Sequence, residues 1–181
     1  MNLKNVNIKA LQSYKLKLKE LKTWAQVKSP KPLQSALSYT LGWLSPELLG
    51  SGFRLIEISD FAIKGTIPLD QMNLDFNQEI HQGLVLNASL ELARTYIHRH
   101  LPENFYRLVM SEIKISKSQK WNENISLQLN STENALDEFF SNLQGNKKAT
   151  IEFHIEVGVE KLKKFDRVDL KLTCEATNLL T

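Results

Sequence analysis

The 181-residue chain contains a single cysteine, Cys174. One thiol excludes an internal disulfide and a thiolate metal cluster, and it leads us to expect a reducing, cytoplasmic setting. No apolar run approaches the roughly 20 residues of a membrane-spanning helix. The opening MNLKNVNIKALQSYKLK has no apolar block of the signal-peptide kind. Ser89 stands in no G-x-S-x-G frame, which argues against a serine hydrolase. Phosphate loops and dinucleotide fingerprints are missing too, and with them the usual marks of a nucleotide cofactor. His98 and His100 have no carboxylates at ligand spacing, so no metal is expected. There is no internal repeat and no low-complexity tract.

What is present is an ordinary globular composition with an uneven charge. Hydrophobic residues at 42% and charged residues at 24% place the chain among soluble proteins able to bury a core. Residues 1–31 hold eight lysines against one acid, Glu20, and so carry +7. The other 150 residues hold fifteen basic and nineteen acidic side chains and carry −4. A basic arm on a mildly acidic body is either a solvated helix face or an attraction to something anionic. A membrane surface, coenzyme A phosphates and an acidic carrier protein all qualify. The arm has no arginine and no interleaved aromatics, so nucleic acid is not an expected partner.

Spacing predicts the elements. Ile8, Leu11, Tyr14, Leu18, Leu21 and Ala25 form one stripe of an amphipathic helix that SPKP (29–32) ends. LQSALSYTLGWL (33–44) reads as a second helix. In SPELLGSG (45–52), Ser45, Pro46 and Gly50 read as cap, first residue and stop of a single turn. Residues 1–50 are thus expected to be a helical extension and 51–181 the main domain.

In that domain FRLIEIS (53–59) and AIKGTIPL (62–69) read as a hairpin. Leu84, Val85, Ala88, Leu92, Tyr96 and Ile97 then mark a helix of about 20 residues that is apolar on most faces, hence buried. Arg94, His98, Arg99 and His100 gather at its negative dipole end. FYRLVMSEIKISKSQ (105–119) is expected to put Val109, Ser111, Ile113 and Ile115 on one face and Leu108 and Met110 on the other. NISLQLN (124–130), KATIEFHIEVGVE (148–160) and RVDLKLTCEAT (167–177) alternate as half-buried strands. His154 falls on a wet face and Cys174 on a core face. TENALDEFFSNLQG (132–145) reads as a short helix with Thr132 as cap and Gly145 as stop. The sum is an α+β fold with an antiparallel sheet around one long helix.

This order of elements, with IHQG (80–83) opening the long helix and SEIKISKSQKW (111–121) following it, resembles the hotdog fold. Within that fold it resembles the acyl-CoA thioesterases related to phenylacetate-pathway enzymes. The resemblance covers residues 40–177. His81 and Gly83 match the family's His-Gly turn, with Gln82 between them. Three positions depart from the pattern. Asp75 stands where an Asn is usual, Gln78 where a Gly is usual, and Leu90 where an acid is usual. Glu91 comes one residue later, about 100° around the helix. It shares a face with Asn87, four residues earlier.

The resemblance implies a thioesterase acting on an acyl-CoA or acyl-carrier substrate, without a cofactor, at the interface of a homodimer or tetramer. Helix-start N–H groups near Gly83 would polarise the carbonyl. His81 would hold it or orient water, and Glu91, or Asp75, would supply the carboxylate beside Asn87. Gln82, Gly83, Leu86 and Leu90 would bind substrate, the tail running past Leu86, Leu90 and Val109. The residues alone leave other readings open: His81 as a plain helix-start residue, and Asn87 and Glu91 as a polar stripe. A non-catalytic module that binds acyl groups is the rival function.

Overall fold

A computed structural model describes residues 46–48, 50–101, 106–159 and 165–176. The helices expected at 8–25 and 33–44, and with them the extension, lie outside these residues. A 3-10 turn at Pro46–Leu48 comes first, then strands β1 (Arg54–Ile58) and β2 (Ala62–Ile67) and a 3-10 turn at Gln71–Asn73. The long helix α1 (Gln82–His100) follows, then β3 (Tyr106–Ser116), β4 (Ile125–Asn130), α2 (Glu133–Asn146), β5 (Lys148–Val159) and β6 (Phe165–Ala176).

The six strands form one antiparallel sheet in the order β1-β2-β4-β5-β6-β3. Alternation decides which face each strand buries. Ile63 and Ile67, Ile125 to Leu129, Ile151 to Val157 and Val168 to Cys174 put every second side chain into one core. Val85, Ala88, Leu92 and Tyr96 of α1 fill it from the other side. The Tyr96 ring meets Phe153 of β5 edge-on, centroids 5.6 Å apart. Leu136, Phe139 and Leu143 of α2 join the same cluster.

The opposite face is a ladder of charge. Register sets Lys148 against Glu175, Glu152 against Lys171 and His154 against Asp169. On the far side of β6, Glu112 faces Lys171 and Lys114 faces Asp169. Cross-strand pairs of opposite sign each favour this register by about 0.2–1 kcal/mol, and a one-residue slip would bury the ladder.

Two expectations need correction. In β3 the register shifts between Met110 and Glu112. An extra residue there flips the alternation. Leu108 and Met110 therefore share the core side with Ile113 and Ile115, opposite Cys174, Leu172, Leu170 and Val168. Val109 points the other way, pairs with Thr173 and cannot line a tail beside α1. In α2 the helix runs through Gly145 to Asn146, and Lys147 makes the left-handed turn (φ 55°) expected of the glycine. Thr132 occupies the cap position without a side-chain cap bond.

Candidate active site

Several polar side chains of the segment between β2 and α1 bond to backbone groups and fix its path. Asp70 caps the 3-10 turn by accepting from the Met72 N–H at 3.1 Å. The buried Asn73 donates through Nδ2 to the carbonyls of Ser51 and Pro68, both at 2.8 Å. Its own carbonyl accepts from the His81 N–H at 2.8 Å. A tight turn lies between. Asp75 Oδ1 accepts from the N–H groups of Asn77 (2.7 Å) and Glu79 (3.2 Å), and Gln78 takes a left-handed conformation (φ 60°). Desolvation pushes the Asp75 carboxyl up. Those two bonds, with Lys117 and His81 nearby, outweigh it and hold the group below its ordinary range.

The turn is clamped from the far side of the sheet. Lys117 pairs with Glu79 and lies 4.6 Å over the Trp121 ring. The Trp121 carbonyl accepts from the Ile80 N–H at 2.8 Å. Trp121 Nε1 donates to Asp166 Oδ2 (2.7 Å), and Ser118 donates to Asp166 Oδ1 through both N–H and hydroxyl (2.6 and 2.7 Å). Asp166 is a buried carboxylate with three donors, which is what makes its burial tolerable.

So braced, His81 forms the N-cap of α1. Its Nδ1 accepts from the Gly83 N–H at 3.0 Å. That bond assigns the proton of the neutral ring to Nε2. It also explains the His-x-Gly spacing. A Cβ at position 83 would come within 2.9 Å of the imidazole, so only glycine lets the ring fold back over the helix start. One consequence revises the expected chemistry: the Gly83 N–H is already engaged and is not spare for a substrate.

A cleft of about 330 Å³ opens beside this cap. His81, Gly83, Leu84 and Asn87 form one wall, and Glu47, Ser51, Met72 and Asn73 the other. Leu84, Asn87 and Glu91 recur at i, i+3 and i+7, on one flank of α1. Glu91 stands a turn beyond Asn87, is 3% exposed and does not itself line the cleft. Leu86 and Leu90 are half-buried and pack against the core. Gln82 is exposed. Asp75 is occupied as a turn cap outside the cleft wall. The cleft thus brings His81, Gly83 and Asn87 together, with Glu91 behind them.

Sequence reasoning missed Glu47, Ser51 and Asn73. Asn73 had a signal, a polar residue between Met72 and Leu74 that turns out buried. Glu47 had none, because its place opposite His81 depends on contacts made far along the chain. At the other end of α1, Tyr106 Oη lies 2.5 Å from His98 Nδ1, and His100 packs on the Tyr96 ring. His154 is exposed and bonded to Asp169, and Cys174 is buried, its thiol pushed up to about 12 by desolvation.

No family model matches the chain, and no curated protein matches it. Solved structures do. A Pseudomonas aeruginosa protein of unknown function, called a probable thioesterase, superposes with a TM-score of 0.72 at 9% identity, covering 84% of this chain and 99% of that one. A Chlorobaculum tepidum protein of unknown function gives 0.69 at 16% identity, with 84% and 99% covered. A Haemophilus influenzae thioesterase gives 0.57 at 15% identity, with 80% and 92% covered. At such identities the likeness is one of fold, and the fold this chain shares with them is the hotdog fold.

Proposed function

We propose that the protein hydrolyses an acyl thioester, carried on coenzyme A or an acyl-carrier protein, in the cleft at the start of α1. The observation that carries this reading is the fixed His81 cap in one cleft with Asn87, on the helix flank that also holds the buried Glu91 carboxylate. The thioester nomenclature of two fold neighbours supports it.

Because Gly83 N–H serves His81, the donors left to polarise a carbonyl are the His81 Nε2–H and the Gln82 N–H at the positive end of α1. Glu91 acts as general base. It takes a proton from water, the water oxygen bonds to the carbonyl carbon, the C–S bond breaks, and the thiolate leaves and is reprotonated. Asn87 holds the water. The site is completed in a homodimer: among the described strands β3, eleven residues long, lies at an edge of the sheet beside β6, with Val109 and Met110 exposed on it. The +7 arm at residues 1–31 adds weak contact with an anionic membrane or carrier surface. The working compartment is a reducing cytoplasm.

One observation favours the rival reading of an acyl-binding module without turnover: Glu91 is 3% exposed and does not line the cleft. Thiol release from a panel of acyl-CoAs separates the two. Hydrolysis of at least one chain length is expected, with Glu91→Gln lowering kcat by on the order of 100-fold or more. Saturable binding without release would establish the module instead.

A further inference from the structure

We infer that Glu47 selects the acyl group by charge, so that the cleft takes an uncharged acyl chain and turns away one ending in a carboxylate. This rests on the thioester reading above and concerns which substrates that cleft admits.

Glu47 is the middle residue of the Pro46–Leu48 turn. Leu48 is buried in the core. Its carbonyl accepts from both the N–H (3.1 Å) and the hydroxyl (2.7 Å) of Ser51. The Ser51 carbonyl takes a bond from Asn73 Nδ2, and the Asn73 carbonyl takes the His81 N–H. A continuous line of bonds therefore sets the Glu47 turn against the His81 cap across the cleft. The side chain itself is exposed to the cleft and to solvent.

Among the described lining residues, the acidic and basic side chains of this cleft have one sign. Among the described residues that line it, Glu47 is the one with a formal charge at neutral pH. Off the cleft wall stand two further acids: Asp75, which caps the turn before His81, and Glu91. The cation near Asp75 is Lys117, and it is committed to Glu79 and to the Trp121 face. A second carboxylate brought into this space meets Glu47, and no cation among the described residues lines the cleft to pair with it. Like charges brought close repel even where solvent reaches them, and added salt weakens that repulsion. An uncharged chain of the same length meets only Leu84 and Met72 as apolar wall.

The test compares butyryl-CoA with succinyl-CoA on the full chain. Both carry the same coenzyme A, so the ratio of kcat/KM isolates the acyl end. We expect butyryl-CoA to be preferred by about tenfold or more at low ionic strength, with the preference shrinking as salt is added. Glu47→Gln reduces the ratio several-fold, and Glu47→Lys reduces it further or inverts it; thermal melting checks that both variants fold. A ratio near one, or a ratio that neither variant moves, overturns charge selection and leaves thioester hydrolysis standing. If neither substrate is turned over, the wider acyl-CoA panel decides the hydrolysis reading, and the same ratio is read from dissociation constants of the two thioesters. Equal binding then overturns charge selection as well.

Discussion

At the start of α1 the His81 ring accepts a bond from Gly83 N–H, while at its end the His100 ring is tucked half-buried against Tyr96 and within 6.3 Å of the Phe140 centroid. Desolvation, with the Arg99 charge beside it, holds the His100 pKa below 6.5, against a smaller opposing pull from Asp60. Well above pH 6.5 the ring is neutral whether the chain is folded or not. As the pH falls below that, the unfolded chain takes up the proton first and the folded state lags. Stability contributed by the neutral ring is thus present above 6.5 and lost as the pH drops through the folded value. Thermal melts of His100→Gln between neutral and mildly acidic pH should fall less steeply than those of the wild type; superimposable profiles would remove this residue from the pH response. The residue scale is also where reading from sequence reached its limit. It brought out His81, Gly83, Asn87 and Glu91 as residues of one helix. It could not tell that Gly83 N–H is spent on His81, because that depends on the ring's rotamer.

Among the elements, the clamp around Asp166 braces the turn that leads into His81. It joins β6 to the β3–β4 loop through Ser118 and Trp121, and Trp121 and Lys117 pass the restraint to Ile80 and Glu79, next to His81. Asp166→Asn tests it with almost no change in shape. An amide oxygen can still accept from Ser118, but the NH₂ group then faces the Trp121 N–H, donor against donor. A cost of about 1–3 kcal/mol is expected from the unsatisfied buried group, read as a lower denaturant midpoint with an unchanged slope. No loss of stability would show that these bonds carry none of it. The elements themselves were legible, because β4, β5 and β6 alternate cleanly and α1 repeats at three and four. The face of β3 was not: period-two counting assumes an unbroken ladder, and the shift between Met110 and Glu112 depends on pairing with β6.

For the molecule as a whole, the sheet and α1 leave one cleft with His81 on its wall, and the turn carrying Glu47 closes its far side. That closure joins residues more than thirty positions apart, so no local pattern announced it. The element order did announce the fold, since a single long helix between antiparallel strands has few other ways to bury both faces. The central claim is that His81 and Glu91 serve one thioester carbonyl in one site. A double-mutant cycle in single-turnover thiol release, using His81→Ala, Glu91→Gln and the pair, tests it most directly. Residues acting as a unit are strongly non-additive. A large loss is expected in each single variant, with a double variant little worse than the poorer single. Losses that multiply in full, or single variants that hydrolyse like the wild type, would contradict it.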